Sequence, residues 1–143
     1  MSLVDLLLLP FYLYIAIVVH ELGHYLVARA YGFRISDFVI GEGPKIFSFK
    51  RNNTEYIFNL IPGEGRVRMD IEPEKLSRQD KLGVCAVCLG GPFLNFVAAV
   101  LAVKLSFWLG LTMFFCGLGN LFPLPGSDGQ QFIAYLWSAF KNE

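Results

Sequence analysis

Three long runs that lack charged side chains constrain the fold of this chain more than any other feature. Between Asp5 and Arg29 the only acidic or basic side chain, apart from two histidines, is Glu21. Residues 82–103 and 105–127 contain none. A helix rising ~1.5 Å per residue over such a run can cross a hydrocarbon core of ~30 Å. The composition agrees, since 17% of the residues are charged and the mean hydropathy is +0.50, whereas soluble domains carry about 25% charged residues.

We therefore predict a membrane protein with one domain over residues 1–143 and three spanning helices, at about residues 3–31, 82–103 and 105–122. The third run becomes irregular after residue 120, where two prolines and two glycines follow closely. Non-helical backbone at membrane depth is tolerated only when it packs against protein or lines a wet cavity. A further helix is predicted over residues 130–140, too short to span.

The segment between the first and second runs predicts a β-hairpin within residues 33–69. Residues 45–50 and 55–61 are rich in aromatic and β-branched side chains, and residues 51–54 between them are typical of a turn. The aromatic content favours a hairpin that rests on or dips into the membrane over one exposed to solvent. The predicted fold class is thus an all-α membrane protein with a three-helix transmembrane core and a cytosolic or membrane-associated β-hairpin insertion.

The positive charges predict the orientation of the chain. Ten of the twelve lysines and arginines lie between Arg29 and Lys81, and positive charge marks the cytoplasmic side of a membrane. We expect an integral, multi-pass protein of a cell or inner membrane, with residues 32–81 in the cytosol and the N-terminus outside. The net charge is zero, so nothing favours a nucleic-acid partner, and none is predicted.

The first run contains His-Glu-Leu-Gly-His at residues 20–24, which includes both histidines of the chain. On a helix, His20 and His24 lie one turn apart and can bind one metal ion between them, while Glu21 beside them can act as a base on water. A pair of ordinary surface histidines is the simpler explanation, but the surroundings are apolar. Ionisable groups are costly in lipid, so their presence there indicates function.

A catalytic zinc ion needs three protein ligands and one open position. The chain has no third histidine, so the third ligand is a carboxylate or, less favoured, a thiolate. Asp128 is the acidic residue that follows an apolar run in an irregular turn, at the membrane level expected for the histidines. We predict Asp128 as the third ligand. The same residue could cap the helix that starts at Gly129, and both roles could hold together.

These motifs resemble those of the site-2 protease family of intramembrane zinc metalloproteases. The resemblance covers about residues 11–129 and rests on H-E-L-G-H at 20–24, G-P-F-L-N at 91–95 and N-L-F-P-L-P-G-S-D-G at 120–129, with further likeness at 41–49 and 61–69. Ser127, Glu64 and Arg66 depart from the family pattern.

The resemblance implies a three-helix core that binds Zn²⁺ through His20, His24 and Asp128, with Glu21 as catalytic acid and base. It implies that Asn95 and Asn120 contact the substrate backbone and that the hairpin edge receives the substrate as an added strand.

The function that follows is a zinc metalloendopeptidase that cleaves single-pass membrane proteins within or near the lipid bilayer, as in regulated intramembrane proteolysis. The alternative is a catalytically inactive membrane metal-binding or scaffold protein derived from such a protease. The intact Glu21 argues against that alternative, because metal binding alone needs only the ligands. The three uncharged runs exclude a soluble zinc protease. A metal transporter would need polar residues along a path through the bilayer, and the sequence shows few.

Overall fold

The computed structural model describes residues 3–141, which form four α-helices and a two-stranded sheet. The elements are α1 (Leu3–Ala30), β1 (Ile35–Arg51), β2 (Thr54–Met69), a 3₁₀ turn (Pro73–Lys75), α2 (Arg78–Ala102), α3 (Phe107–Leu121) and α4 (Asp128–Phe140).

Two of these helices are long and apolar enough to cross a membrane. They are α1, with 28 residues, and α2, with 25. The third helix has 15 residues, which corresponds to about 22 Å along its axis and is short of a ~30 Å core. The predicted bounds of 105–122 agree with this helix to within two residues, since Ser106 caps its start and a Phe-Pro sequence follows Leu121.

Glycines bring the helices into close contact. A Cβ atom added to Gly90 of α2 would lie 2.7 Å from the Gly23 carbonyl oxygen of α1, and one added to Gly117 of α3 would lie 3.2 Å from the Asn95 Cβ of α2. Small residues at such crossings let backbones approach closely in a membrane. Because Gly23 adjoins His24, the crossing places the histidines of α1 directly against α2.

The hairpin lies within the predicted residues 33–69, but its strands are longer than the segments that indicated them. Its turn lies at Asn52 and Asn53, with φ of 49° and 65°, and two positive φ values at the centre of a tight turn are typical of β-hairpins. The strands extend over residues 35–51 and 54–69 rather than 45–50 and 55–61. The first strand continues through Gly41 and Gly43, where positive φ values of 74° and 75° bend the chain.

The bends make each long strand contribute two segments to the sheet. Residues 35–40 pair with residues 65–69 on one side and with residues 55–58 on the other, and residues 45–51 pair with residues 54–59. Within the described residues no strand lies on the outer side of segment 65–69. This segment is a free strand edge, and we call it the open edge.

The sheet packs along the second half of α1. Ile17, Phe38 and Ile40 form a buried cluster between the helix and the sheet, and the Tyr14 hydroxyl donates a hydrogen bond to the Asn59 carbonyl oxygen at 2.9 Å. The hairpin therefore lies beside the helix that carries the histidines, not apart from it.

Large apolar side chains remain exposed on the outside of the helices. Leu7 on α1, Val100 on α2 and Trp137 on α4 are each about 70% exposed. Soluble monomers rarely expose apolar patches of this extent. This surface fits contact with lipid.

Candidate metal centre

The second half of α1 buries an ionisable cluster. His20, Glu21 and His24 are 5%, 6% and 7% exposed, and each offers a potential ligand atom within 4.8 Å of the others. The Nε2 atoms of the two histidines lie 3.1 Å apart, as their spacing of four on a helix allows.

The start of α4 brings Asp128 to the same point. Its Oδ2 atom lies 2.9 Å from His20 Nε2 and 3.2 Å from His24 Nε2, although 108 residues separate Asp128 from His20. On the other side of α4, the buried Lys81 ammonium of α2 donates a hydrogen bond to the Ser138 carbonyl oxygen at 3.2 Å. This contact holds the far end of α4 against α2.

The suggestion that Asp128 caps α4 was wrong. The cap is Ser127, whose hydroxyl oxygen accepts a hydrogen bond from the Gln130 N–H at 3.2 Å. The same hydroxyl donates to the Phe122 carbonyl oxygen at 2.6 Å. Because Ser127 performs the capping, the Asp128 carboxylate is left to face the histidines.

The Nε2 atoms of His20 and His24 and the Oδ2 atom of Asp128 are arranged as a tetrahedral zinc site requires. Zinc binds imidazole nitrogen and carboxylate oxygen at ~2.0–2.2 Å with tetrahedral geometry, which places neighbouring ligand atoms about 3.3 Å apart. The observed separations of 2.9, 3.1 and 3.2 Å are close to that value. Two nitrogen donors and one oxygen donor are also ligands that zinc accepts.

The outer nitrogens of both imidazoles have orienting partners. His24 Nδ1 lies 2.7 Å from the Val87 carbonyl oxygen, so it donates its proton there and leaves Nε2 with a lone pair toward the site. His20 Nδ1 lies 3.3 Å from Asn95 Nδ2, while Asn95 Oδ1 is buried with no hydrogen-bond partner among the described residues. If the Asn95 amide is turned by 180°, its oxygen accepts a hydrogen bond from His20 Nδ1–H, and Asn95 Oδ1 gains a partner. His20 Nε2 then carries a lone pair that can bind a metal.

The charge state of Asp128 suits a metal ligand. Burial alone would raise its pKa, but the hydrogen bonds and the charges of His20 and His24 outweigh burial and lower the pKa to about 2. The carboxylate is therefore ionised at neutral pH and can bind a cation without first losing a proton.

The cluster opens into a cleft of about 520 Å³ between α1, the open edge and the start of α4. Its lining includes Glu21, Arg66, Asn120 and Gln131. Asn120 therefore lies where a substrate could reach it. Asn95 is fully buried behind His20 and is absent from the lining. Of the two predicted substrate contacts, Asn120 therefore borders the cleft and Asn95 does not.

Two glycines shape the site, and the sequence did not mark them as functional residues. A Cβ atom on Gly65 of the open edge would lie 2.7 Å from Glu21 Oε1, and one on Gly91 of α2 would lie 2.7 Å from His24 Cε1. Neither position tolerates a side chain without displacing the cluster. Their only signal in the sequence is that both lie inside segments that resemble family motifs.

Cys88 and Cys116 also line the cleft. The sequence left a thiolate as the less favoured third ligand. Because thiolates bind zinc well, these two residues are the competing donors for the third ligand position.

Comparison with known proteins gives matches over most of the chain. The model of peptidase family M50 matches residues 9–107. Protease RseP of Yersinia pestis is 33% identical over 131 residues, which cover 84% of this chain and 28% of the relative. Zinc metalloprotease RasP of Geobacillus kaustophilus is 47% identical over 68 residues, which cover 46% of this chain and 16% of the relative.

A solved structure has a similar fold. The site-2 protease from Methanocaldococcus jannaschii superposes with a TM-score of 0.59 and 25% sequence identity, over 91% of this chain and 54% of that chain. The present chain spans less than a third of the two curated relatives above. The family match includes His20, Glu21 and His24 and ends before Asp128.

Proposed function

This chain belongs to peptidase family M50, and from the geometry of its metal centre we propose that it hydrolyses peptide bonds of membrane proteins. The convergence of His20, His24 and Asp128 beside Glu21 carries the proposal. Two helices far apart in the sequence supply a complete zinc ligand set in a cleft that a peptide can enter.

We propose His20, His24 and Asp128 as the zinc ligands. A bound zinc ion supplies a Lewis acid that acidifies water and stabilises negative charge on an oxygen. Val87 and Asn95 hold the imidazole rings from behind, and such outer contacts commonly change metal affinity 10–100-fold. Asn95 is therefore assigned to orienting His20, and Asn120 remains the candidate for contact with substrate.

Glu21 is the proposed acid and base. It lies on α1 between the two proposed histidine ligands, is nearly fully buried and borders the cleft. Its carboxylate accepts a proton from the attacking water and returns the proton to the leaving amine nitrogen.

The proposed substrate is a single-pass membrane protein that binds in extended form. A transmembrane helix hides its carbonyl groups in hydrogen bonds, so the bond to be cut must first be unwound. The open edge offers unpaired strand groups in the same cleft as Glu21, since Gly65 lies against the Glu21 side chain. Pairing with this edge would replace hydrogen bonds lost on unwinding and bring the substrate backbone to the site.

The membrane placement is also proposed. The lipid-facing surface of α1 and α2 supports a position across the bilayer, and the basic residues at 29–81 support a cytosolic side for that end of α1. Water and substrate would then reach the cleft from the cytosolic half. The single-domain organisation and a third crossing by α3 are parts of the same proposal.

Replacing Glu21 by Gln tests the proposed activity. The variant keeps the size of the side chain and removes its basicity, so we expect zinc content equal to that of the wild type and no cleavage of a tagged single-pass model substrate in proteoliposomes. Glu55→Gln, on the exposed hairpin, is the matched control and should cleave normally. Cleavage by Glu21→Gln at the wild-type rate would overturn the role. A wild-type protein that binds zinc and cleaves no membrane substrate would favour the inactive scaffold.

A further inference from the structure

A second cavity, of about 350 Å³, lies where the end of α1 meets the hairpin turn. Its lining includes Arg29 and Arg34, Asn52 and Asn53 of the turn, and Asp70. None of these residues belongs to the metal centre or to its cleft. The proposed protease activity does not use this cavity.

The cavity carries positive charge that the protein itself does not neutralise. Arg29 and Arg34 are exposed, and neither forms an ion pair within the described part of the chain. Arg68, in contrast, pairs with Asp37 at 3.3 Å. Asp70 supplies the one negative charge in the lining, so the cavity retains a net positive charge.

The walls of the cavity are held in place by hydrogen bonds. The buried Thr54 hydroxyl donates to the Ile35 carbonyl oxygen at 2.7 Å, which fixes the turn that carries Asn53 against the start of β1. The Asp70 N–H donates to the Arg34 carbonyl oxygen at 2.9 Å. The backbone that carries these side chains is therefore held in place, so a ligand has only the side chains themselves to order.

The cavity lies at the level expected for lipid headgroups. Arg29 is in the last turn of α1, and Tyr31, directly after this helix, is 57% exposed. Exposed tyrosines are enriched at the boundary between membrane and water. Basic pockets at this level on the cytosolic side bind the phosphate groups of anionic lipids.

We propose that this cavity binds a phosphate group, supplied by an anionic phospholipid of the cytosolic leaflet. Arginine binds phosphate through two parallel N–H···O bonds, and the Asn52 and Asn53 amides can donate further hydrogen bonds. The net positive charge of the lining favours an anionic phosphoglycerol headgroup over a zwitterionic choline one, and Asp70 can accept a hydrogen bond from a glycerol hydroxyl. The inference rests on the proposed membrane placement and not on the proposed peptidase activity.

Lipid binding to the purified chain in neutral detergent tests the proposal. Native mass spectrometry would compare phosphatidylglycerol, phosphatidylcholine and inorganic phosphate as separate ligands. We expect saturable binding of phosphatidylglycerol, at least about tenfold weaker in the double variant Arg29→Gln/Arg34→Gln, because two charge-assisted contacts are lost. The matched control Lys45→Gln/Lys50→Gln removes two exposed hairpin charges that do not line the cavity and should bind as the wild type does.

Asn53→Gly is a second variant, chosen because it should fold even if the double arginine variant does not. Glycine accepts the positive φ of this turn position, so the hairpin should persist while one amide donor is lost and lipid binding weakens several-fold. Binding of inorganic phosphate with no preference between the two lipids would support the phosphate site and assign it to a free anion. Equal lipid binding by the wild type and the arginine variant would overturn the proposal, as would an equal loss in the lysine control.

Discussion

Replacing Gly65 by alanine should remove most of the activity while the zinc site stays intact. Gly65 lies on the open edge directly over the Glu21 side chain, and it pairs with the fully buried Ile40. The contact between Gly65 and Glu21 therefore lies between α1 and a sheet that is held in place by buried packing. An added methyl group has no free space between them.

The size of the clash sets the expected effect. The new Cβ atom would lie 2.7 Å from Glu21 Oε1 and 2.8 Å from its Cδ, where ordinary contact begins at 3.4 Å. Since Glu21 Cγ lies closer still, the Glu21 side chain or the open edge must move by at least about 0.7 Å. A misplacement of ~1 Å in a reacting group can cost ~10²-fold in rate, so we expect kcat to fall between about ten- and a hundredfold.

The assay would measure cleavage of a tagged single-pass substrate in proteoliposomes, together with the zinc content of each sample. Gly119→Ala is the matched control, because this exposed glycine of α3 has no atom within 4 Å of its added Cβ. Zinc content should be unchanged in both variants, since Gly65 does not contact a proposed ligand. Full activity of Gly65→Ala with normal zinc content would refute the placement of the open edge over the proposed base.

Three further substitutions test the surroundings of the metal centre. Gly91→Ala would place a Cβ 2.7 Å from His24 Cε1. It should weaken zinc binding at least about tenfold in a competition with a chelator, and an unchanged zinc affinity would contradict the packing of α2 on the histidines. Asn95→Leu keeps the bulk behind His20 and removes the orienting amide, so zinc affinity should fall about 10–100-fold, whereas a loss of substrate affinity alone would assign Asn95 to substrate. Ser127→Ala should lower the free energy of unfolding by about 1 kcal/mol in denaturant titrations, and no change would deny its role as the cap of α4.

The sequence pattern predicted the histidine pair of the site, because the two histidines are close in sequence as well as in space. His20 and His24 adjoin because helix geometry alone brings residues four apart together. Asp128 lies 108 residues away from His20, and no periodicity could place it there. It was predicted because few acidic residues lie next to an apolar run. Whether the three residues bind zinc together remains a prediction.

The features that the sequence missed depend on tertiary contacts. Gly65 and Gly91 carry no functional group. They matter because a side chain at either position would clash with Glu21 or with the histidines. The bend at Gly41 was also missed, because the positive φ that bends this strand is set by the surrounding sheet. The bounds of α3 differ from the predicted 105–122 by one or two residues, because absence of charge limits where a helix can lie but does not fix where it ends.

X-ray absorption spectroscopy of the zinc bound to the purified chain tests the central claim most directly. With His20, His24 and Asp128 as ligands, we predict one zinc ion per chain, two imidazole nitrogens at about 2.0–2.1 Å and oxygen at about 2.0–2.2 Å. A sulfur neighbour at about 2.3 Å would assign the third position to Cys88 or Cys116, both of which line the cleft, and would contradict the account.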